Sequence, residues 1–395
     1  MKLRQVPEDF VVDEVSNFKP EPDGQNFVYE LKKRSIPTLE ALEMIARKAG
    51  IKARTLSAAG LKDKHAVTTQ FFSAKGPLPA EIKLENIEVR FLGKAREPLT
   101  SSSITANSFA ITMRGLSDAE CERLPGLAAA AASYGVPNYY DNQRFGGIAH
   151  GQGFIGRALI HGQIEEALRL HLAAPHRKQS LRDKRNREMA AKHWGDWQKL
   201  RGMLKPSSER ALVEYLVENP TAWGDCFERI TPSLRGLFVA AYQSFLFNET
   251  VRHFLMDQDL ELYSVLNKAG VIPMYRALNS GQVAAWHKRE FPLLGPGTDL
   301  NDFPLAYKYA KQVLEDEEVL LERMSLSELP RTSFHAGTRA LLLFPKGLTL
   351  GEFEPDDLNE GRMKSVARFE LPRGSYATVI MRRLAINPER DMLVR

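Results

Sequence analysis

Cysteine is scarce in this chain and dispersed. Cys121 and Cys226 are the two present in 395 residues, and they form no C-x-x-C pair. This argues against a disulfide framework and a thiolate zinc site, and it fits a reducing compartment, so a cytoplasmic location is expected. The nine histidines include no H-E-x-x-H pair, so no metal is expected. The absence of a G-x-x-x-x-G-K loop argues against a nucleotide cofactor. No run of about 18 apolar residues occurs, so no membrane span is expected. The N-terminus lacks the apolar core of a signal peptide. Acidic charge falls short of basic charge, 49 Asp and Glu against 54 Lys and Arg, and the net +5 favours a polyanionic partner.

What is present is the composition of a soluble globular protein, 43% hydrophobic and 26% charged, long enough for two domains or one large one. Residues 10–15, 27–31, 87–91 and 109–113 read as strands. Thr38 is placed to cap a helix ending before Gly50, with Leu39, Leu42, Ile45, Ala46 and Ala49 on its apolar face. Ser117 and Glu120 form the S-x-x-E pattern that opens another helix, which Pro125 is expected to kink or interrupt. After residue 147 strand-like runs nearly vanish. Thr231 and Pro232 start a long helix with Leu234, Leu237, Phe238, Ala241, Phe245 and Leu246 as its buried face. A further helix is expected over residues 303–324. Strand-like runs return at 339–344, 366–371 and 376–381. Without a regular βαβ rhythm, the pattern predicts an α+β fold with a largely antiparallel sheet, interrupted by an α-rich insertion.

One stretch carries chemistry. Gly-Leu-Lys-Asp-Lys-His-Ala-Val-Thr-Thr-Gln, residues 60–70, reads as a polar loop between strands and sets Asp63 between Lys62 and Lys64. Nearby ammonium groups favour the ionised carboxylate, which can act as nucleophile, base or ion-pair partner. A solvated, charge-rich turn would look the same in composition.

The motif G-x-K-D-x-x-A-x-T-x-Q resembles the central motif of the TruD family of tRNA pseudouridine synthases. Other segments resemble that family in the same order. They are Arg4-Gln-Val-Pro-Glu-Asp-Phe10 running on to Glu14, Asn107-Ser-Phe109, Pro137-Asn138 through Gln143-Arg144-Phe145-Gly146, residues 241–248, and Leu371-Pro372 through Gly374-Ser-Tyr376-Ala-Thr378. The resemblance implies a tRNA pseudouridine synthase, an isomerase acting on uridine 13 of tRNA without a cofactor. It implies a pseudouridine-synthase core, residues 1–134 and 339–395, carrying a family-specific α-rich insertion, residues 135–338.

Pseudouridine formation breaks the bond between ribose C1′ and uracil N1 and rejoins the base through C5. It needs a carboxylate and a flat, shielded pocket. The resemblance makes Asp63 the catalytic carboxylate. Arg4 and Lys62 match positions carrying basic residues near the active site, with Arg4 pairing the aspartate or a phosphate. Glu14 is a further candidate partner for such bases. Asn107 can bond the edge of uracil, and Phe109 either stacks on the flipped base or packs as an ordinary strand residue. Ala106 replaces the glycine usual in the family, which questions the local turn. Tyr376 completes an aromatic wall or packs in a strand. Residues 143–146 contact substrate or form a structural hinge, and His65 is expected to be structural.

Residues 177–210 hold eleven Lys or Arg against four Asp or Glu, together with Trp194 and Trp197. Cations interleaved with aromatics suit RNA, so Arg182, Lys184, Arg185 and Arg187 are expected to contact tRNA. A solvated face is the alternative. A non-catalytic RNA-binding protein on the same scaffold would share the charge, but it would often lose the carboxylate at position 63.

Overall fold

The computed structural model describes residues 1–146, 153–175 and 180–392. Two compact units are formed, one by Met1–Val136 with Leu343–Ala385, the other by Pro137–Leu342 with Ile386–Arg395. No helix among the described residues is long and apolar enough to cross a membrane.

The first unit is built on a ten-stranded mixed sheet. Its elements in chain order are β1 (Phe10–Ser16), β2 (Asn26–Arg34), α1 (Thr38–Ala49), β3 (Leu56–Ala58), β4 (Val67–Ala74), β5 (Glu81–Leu84), β6 (Ile87–Ala95), β7 (Ile104–Leu116) and α2 (Asp118–Tyr134). The strands Lys346–Leu350, Glu354–Pro355 and Met363–Pro372 follow, then the helix Ala377–Leu384. The sheet runs Lys346–Leu350, Met363–Pro372, β7, β1, β4, β2, β6, β5. β1 and β4 are parallel, whereas the other pairs described in this sheet are antiparallel. The α+β class and the mainly antiparallel sheet expected from the sequence are therefore found.

Alternation decides which side chains this sheet buries. Tyr29, Leu31 and Phe72 pack against Ala41, Leu42, Ile45 and Ala46 of α1 in one apolar cluster. Gly50 ends α1 in the left-handed conformation at φ 68°, as its position predicted. Thr38 differs from expectation. Pro37 is the N-cap, and the buried Thr38 hydroxyl is bonded elsewhere, as described below. Leu39 is also misplaced by the sequence reading: it is exposed, and Ala41 takes the inward position. Ser117 and Glu120 form the expected capping box of α2. Pro125 does not interrupt α2, because its ring lies on the exposed face, where water can satisfy the carbonyl it leaves unpaired.

The segment 376–381 is a helix, not a strand. Tyr376 is the N-cap and Ala377–Leu384 is helical, burying Ala377, Ile380, Met381 and Leu384 at spacings of three and four. The β-branched run Thr378-Val379-Ile380 imitates a strand, but burial with helical period overrides that propensity.

The second unit is mainly helical. Its long helix, Pro232–Met256, buries Tyr242, Leu246, Phe247, Val251 and Phe254, whereas Leu237 is exposed. Buried Arg235 binds Glu228 and Thr332, anchoring the start of that helix. The helix expected over 303–324 is shorter, Tyr307–Asp316, followed by a 3-10 turn at Leu321–Ser325. Between them Glu318 has φ 56°, which a continuous helix cannot hold. Strands are more frequent here than the composition suggested: Leu262–Asn267 pairs with Gly270–Tyr275, and Glu290–Leu293 with Gly337–Ala340. Trp197 is buried in the apolar core of this unit, and the partly buried Trp194 and Trp223 pack on it instead of interleaving with exposed cations.

Candidate active site

β3 and β4 pair antiparallel, Leu56 opposite Ala74 and Ala58 opposite Phe72, and the polar loop between them carries Asp63. Three side chains hold this loop by its backbone. Gln70 Nε2 donates to the Gly60 carbonyl at 3.2 Å. Lys62 N donates to Thr38 Oγ1 at 3.0 Å, and the same hydroxyl reaches Gln70 Oε1 at 3.0 Å. Lys33 Nζ donates to the Asp63 carbonyl at 2.9 Å. Successive peptide groups are thereby tied to α1, β4 and β2, so the carboxylate projects from a fixed backbone.

Asp63 Oδ2 lies 3.3 Å from Arg4 Nη1, and both side chains are about one-third exposed, 31% each. The Arg4 guanidinium sits 3.8 Å from the centre of the Phe10 ring, which restricts it from the opposite side. Arg4 itself is at φ 58°, in the left-handed region that a non-glycine residue seldom occupies. The N-terminal segment is thus ordered rather than frayed. Asp9 turns it by accepting the N–H groups of Gln5 and Val6.

Lys62 points to a different carboxylate. Its Nζ lies 2.5 Å from Glu14 Oε1, whose side chain is fully buried. The second oxygen of Glu14 accepts the Phe71 N–H at 2.8 Å. A Cβ at Gly60 would stand 2.8 Å from Glu14 Oε1, so a side chain there would displace that carboxylate.

The strand register brings the remaining residues into rows. Val12 of β1 faces Thr68 of β4 and Phe109 of β7, and Phe109 faces Phe369. Lys33 faces Thr68 from the other side. In the adjoining row Glu14 faces Asn107, and Asn107 faces Leu371. Phe109 is buried, stacked on Phe369 with centroids 5.5 Å apart and edge-on to Phe10 at 6.3 Å. Asn107 Oδ1 is buried and accepts no hydrogen bond among the described residues. Such an acceptor is costly unless something else fills it. Ala106 pairs with Val15 and Pro372 beside a register shift at Val15/Ser16, and it is not among the residues with positive φ, so no glycine is needed there.

Tyr376 is half-buried at the start of its helix. It stands four residues beyond Pro372, the end of the strand facing Ala106 and Asn107. His65 is exposed.

The sequence reading missed Lys33, Thr38 and Gln70 as supports of the loop. Lys33 left one signal. It shares the inward parity of Tyr29 and Leu31 along β2, a position where a lone cation is anomalous. Burial pushes its ammonium down to about 8, with the Asp63 charge opposing that shift and Lys62 adding to it.

In the second unit, Arg182, Lys184 and Arg185 are exposed on the helix Leu181–Lys192. Arg187 is not equivalent. It turns inward and donates to the carbonyls of His171 and Ala174, the latter at 3.0 Å. Phe145 is fully buried, as expected for a structural residue. Residues 177–179 of the basic stretch lie outside the described residues.

The family model for tRNA pseudouridine synthase D (TruD) matches residues 1–384. A relative from Methanocaldococcus jannaschii, named as a probable tRNA pseudouridine synthase D 2, is 31% identical over 394 residues, covering 97% of this chain and 91% of the relative. The tRNA pseudouridine synthase D of Aquifex aeolicus is 29% identical, covering 97% and 98%. A crystal structure from Methanosarcina mazei, of a protein assigned to tRNA pseudouridine synthase D, superposes with a TM-score of 0.71 at 27% identity. It covers 98% of this chain and 94% of that one.

Proposed function

Because the chain belongs to the TruD family of tRNA pseudouridine synthases, we propose that it isomerises a uridine of tRNA to pseudouridine at Asp63, with uridine 13 as the target. The observation that carries this reading is the Asp63 carboxylate, about one-third exposed on a backbone-anchored loop and paired with Arg4. The net reaction loses the N1–C1′ bond, forms C5–C1′, and moves one proton from C5 to N1. An ionised carboxylate serves it either by attacking C1′ or by taking a ribose proton to give a glycal. No organic cofactor or metal enters this balance.

Arg4 holds the carboxylate from one side, or a phosphate once the nucleotide arrives, with a fork suited to either. The Lys62–Glu14 pair braces the wall of the site. Asn107 Oδ1 takes the N3–H of uracil, which satisfies its empty acceptor. Phe109, already stacked on Phe369, supplies a flat apolar floor, and Tyr376 closes the aromatic side. Asn107→Ala is expected to slow single-turnover conversion about tenfold, the value of one hydrogen bond at the upper end of the usual range. Unchanged turnover would place the uracil edge elsewhere.

The exposed cations of the second unit are assigned to tRNA phosphates. Replacing Arg182, Lys184 and Arg185 together by Gln is expected to weaken tRNA binding and to flatten its salt dependence by roughly 0.7–0.9 per lost contact. Arg187 is left in place because its bonds to carbonyls are structural. The measurement is the dissociation constant at several salt concentrations, and an identical slope would make these residues a solvated face. The target position is tested by mapping pseudouridine in tRNA treated with the protein, beside a transcript carrying cytidine at position 13. Modification that persists in that transcript rejects uridine 13.

A further inference from the structure

Lys33 is a lysine with almost no access to solvent, 1% exposed, on a strand face otherwise lined by Tyr29, Leu31 and Thr68. A cation in such a position costs stability unless it is used. Its bond to the Asp63 carbonyl, 2.9 Å long, ties it to the loop. The facing strand residue, Thr68, offers no charge, and its buried hydroxyl has no hydrogen-bond partner among the described residues. Leu or Met would fill this place at lower cost, as apolar residues do elsewhere in the same cluster.

We infer that Lys33 is a positioning residue for Asp63: its buried ammonium fixes the peptide from which the carboxylate projects and holds positive charge beneath it. The inference rests on Asp63 as the reacting carboxylate. The charged groups that act on Lys33 come from the loop, Asp63 favouring the ammonium and Lys62 opposing it. Lys62 is bound to Glu14 of β1, and Asp63 to Arg4 of the N-terminal segment. Burial leaves the ammonium titrating near 8 rather than at the ordinary 10.5. Between those values the unfolded chain holds a proton that the folded chain lacks, so the folded state gains stability as pH rises through that window. The positioning charge is lost over the same rise. The conversion rate and the stability should therefore move in opposite directions on the alkaline side.

The test uses the full chain and unmodified tRNA, with Lys33→Met and Asp63→Asn made in parallel. Lys33→Met keeps the length and the apolar stem. At neutral pH it is expected to melt at or above the wild-type temperature, to bind tRNA within about twofold, and to convert it at least about tenfold more slowly at saturation. Wild-type single-turnover rates should fall as pH rises through about 8, and the variant should lack that fall. A structural lysine would give the reverse pattern, a less stable variant with normal turnover per folded molecule. Full turnover by Lys33→Met beside an inactive Asp63→Asn overturns the role of Lys33 alone. Turnover by Asp63→Asn overturns the catalytic reading and this one with it. If Lys33→Met does not fold, the wild-type profile decides, since a flat rate across about pH 7–10 rejects the inference.

Discussion

Asp63→Asn is expected to abolish pseudouridine formation while leaving a folded, tRNA-binding protein. The substitution is nearly isosteric, and the side chain is about one-third exposed, so it opens no cavity. What it removes from stability is one ion pair to Arg4 at 3.3 Å, and exposed pairs of this kind contribute about 0–1 kcal/mol. The asparagine oxygen can still accept from Arg4. It cannot attack C1′, and it cannot take a proton. The loop stays in place, since Gln70, Thr38 and Lys33 hold backbone atoms that the substitution does not touch. The expected result is a loss in single-turnover rate of roughly three orders of magnitude or more, with melting temperature and tRNA affinity close to wild type. Mass spectrometric detection of pseudouridine, run beside a binding titration, separates these quantities. Wild-type conversion by the asparagine variant would remove Asp63 from the chemistry.

The elements that could be read from the sequence are those decided locally. The capping box of α2 requires only Ser117 and Glu120, three residues apart, and the end of α1 requires one glycine with positive φ. The strands at 10–15, 27–31, 87–91, 109–113 and 366–371 were visible in composition, whereas the short strands Glu81–Leu84, Lys346–Leu350 and Glu354–Pro355 were not. Errors occurred where tertiary packing decides. Residues 376–381 have strand composition, yet Tyr376 is the N-cap of a helix that buries Ala377, Val379, Ile380 and Met381. Trp194 and Trp197 stand among cations in the sequence, but Trp197 is buried and Trp194, partly buried, packs against the apolar core while its Nε1 bonds Glu165 at the surface. Arg187 shares the charge of its neighbours and not their exposure.

The candidate site divides in the same manner. Local composition could present Asp63 only as a charged turn, and the order of several distant motifs singled it out. The pairs that shape the site join residues far apart in the chain, Arg4 with Asp63, Glu14 with Lys62, Lys33 with the Asp63 carbonyl. No periodicity encodes such contacts. They follow from a register in which β1 lies between β4 and β7, placing Glu14 beside both Asn107 and the loop. Parity along β2 was the one local sign of Lys33, and it is informative because buried charge without a purpose is selected against by its cost.

The largest stability effect is expected from Arg114, which ties the N-terminal turn to the loop after Pro355. Arg114 is buried, and its guanidinium binds Asp9 at 2.7 Å and Asp356 and Asp357 at 2.8 Å each. The other oxygens of the two buried carboxylates are also used. Asp9 Oδ2 accepts from Gln5 and Val6, and Asp356 Oδ2 from Gly115 and Asn359. Burial works against the charge on Asp356, but the N–H groups of Leu358 and Gly115, Asn359 and Arg114 outweigh it and bring the group to about 2. Arg114→Ala leaves two carboxylates buried without their cation, and breaking a buried pair in this way costs about 3–5 kcal/mol. The turn that carries Arg4 should loosen with it, so conversion by Asp63 should fall as well. The sign of the pH dependence follows from the lowered carboxyl. In the wild type, stability contributed by Asp356 is complete above the ordinary carboxylate value of 3.8 and is lost as pH falls toward about 2. In Arg114→Ala, protonation relieves the uncompensated charge. The gap in stability between the two proteins should therefore be widest near neutral pH and shrink through the acid range. Denaturant unfolding of both proteins from neutral to acid pH checks this, and a gap that stays constant would mean that Arg114 contributes packing instead of charge.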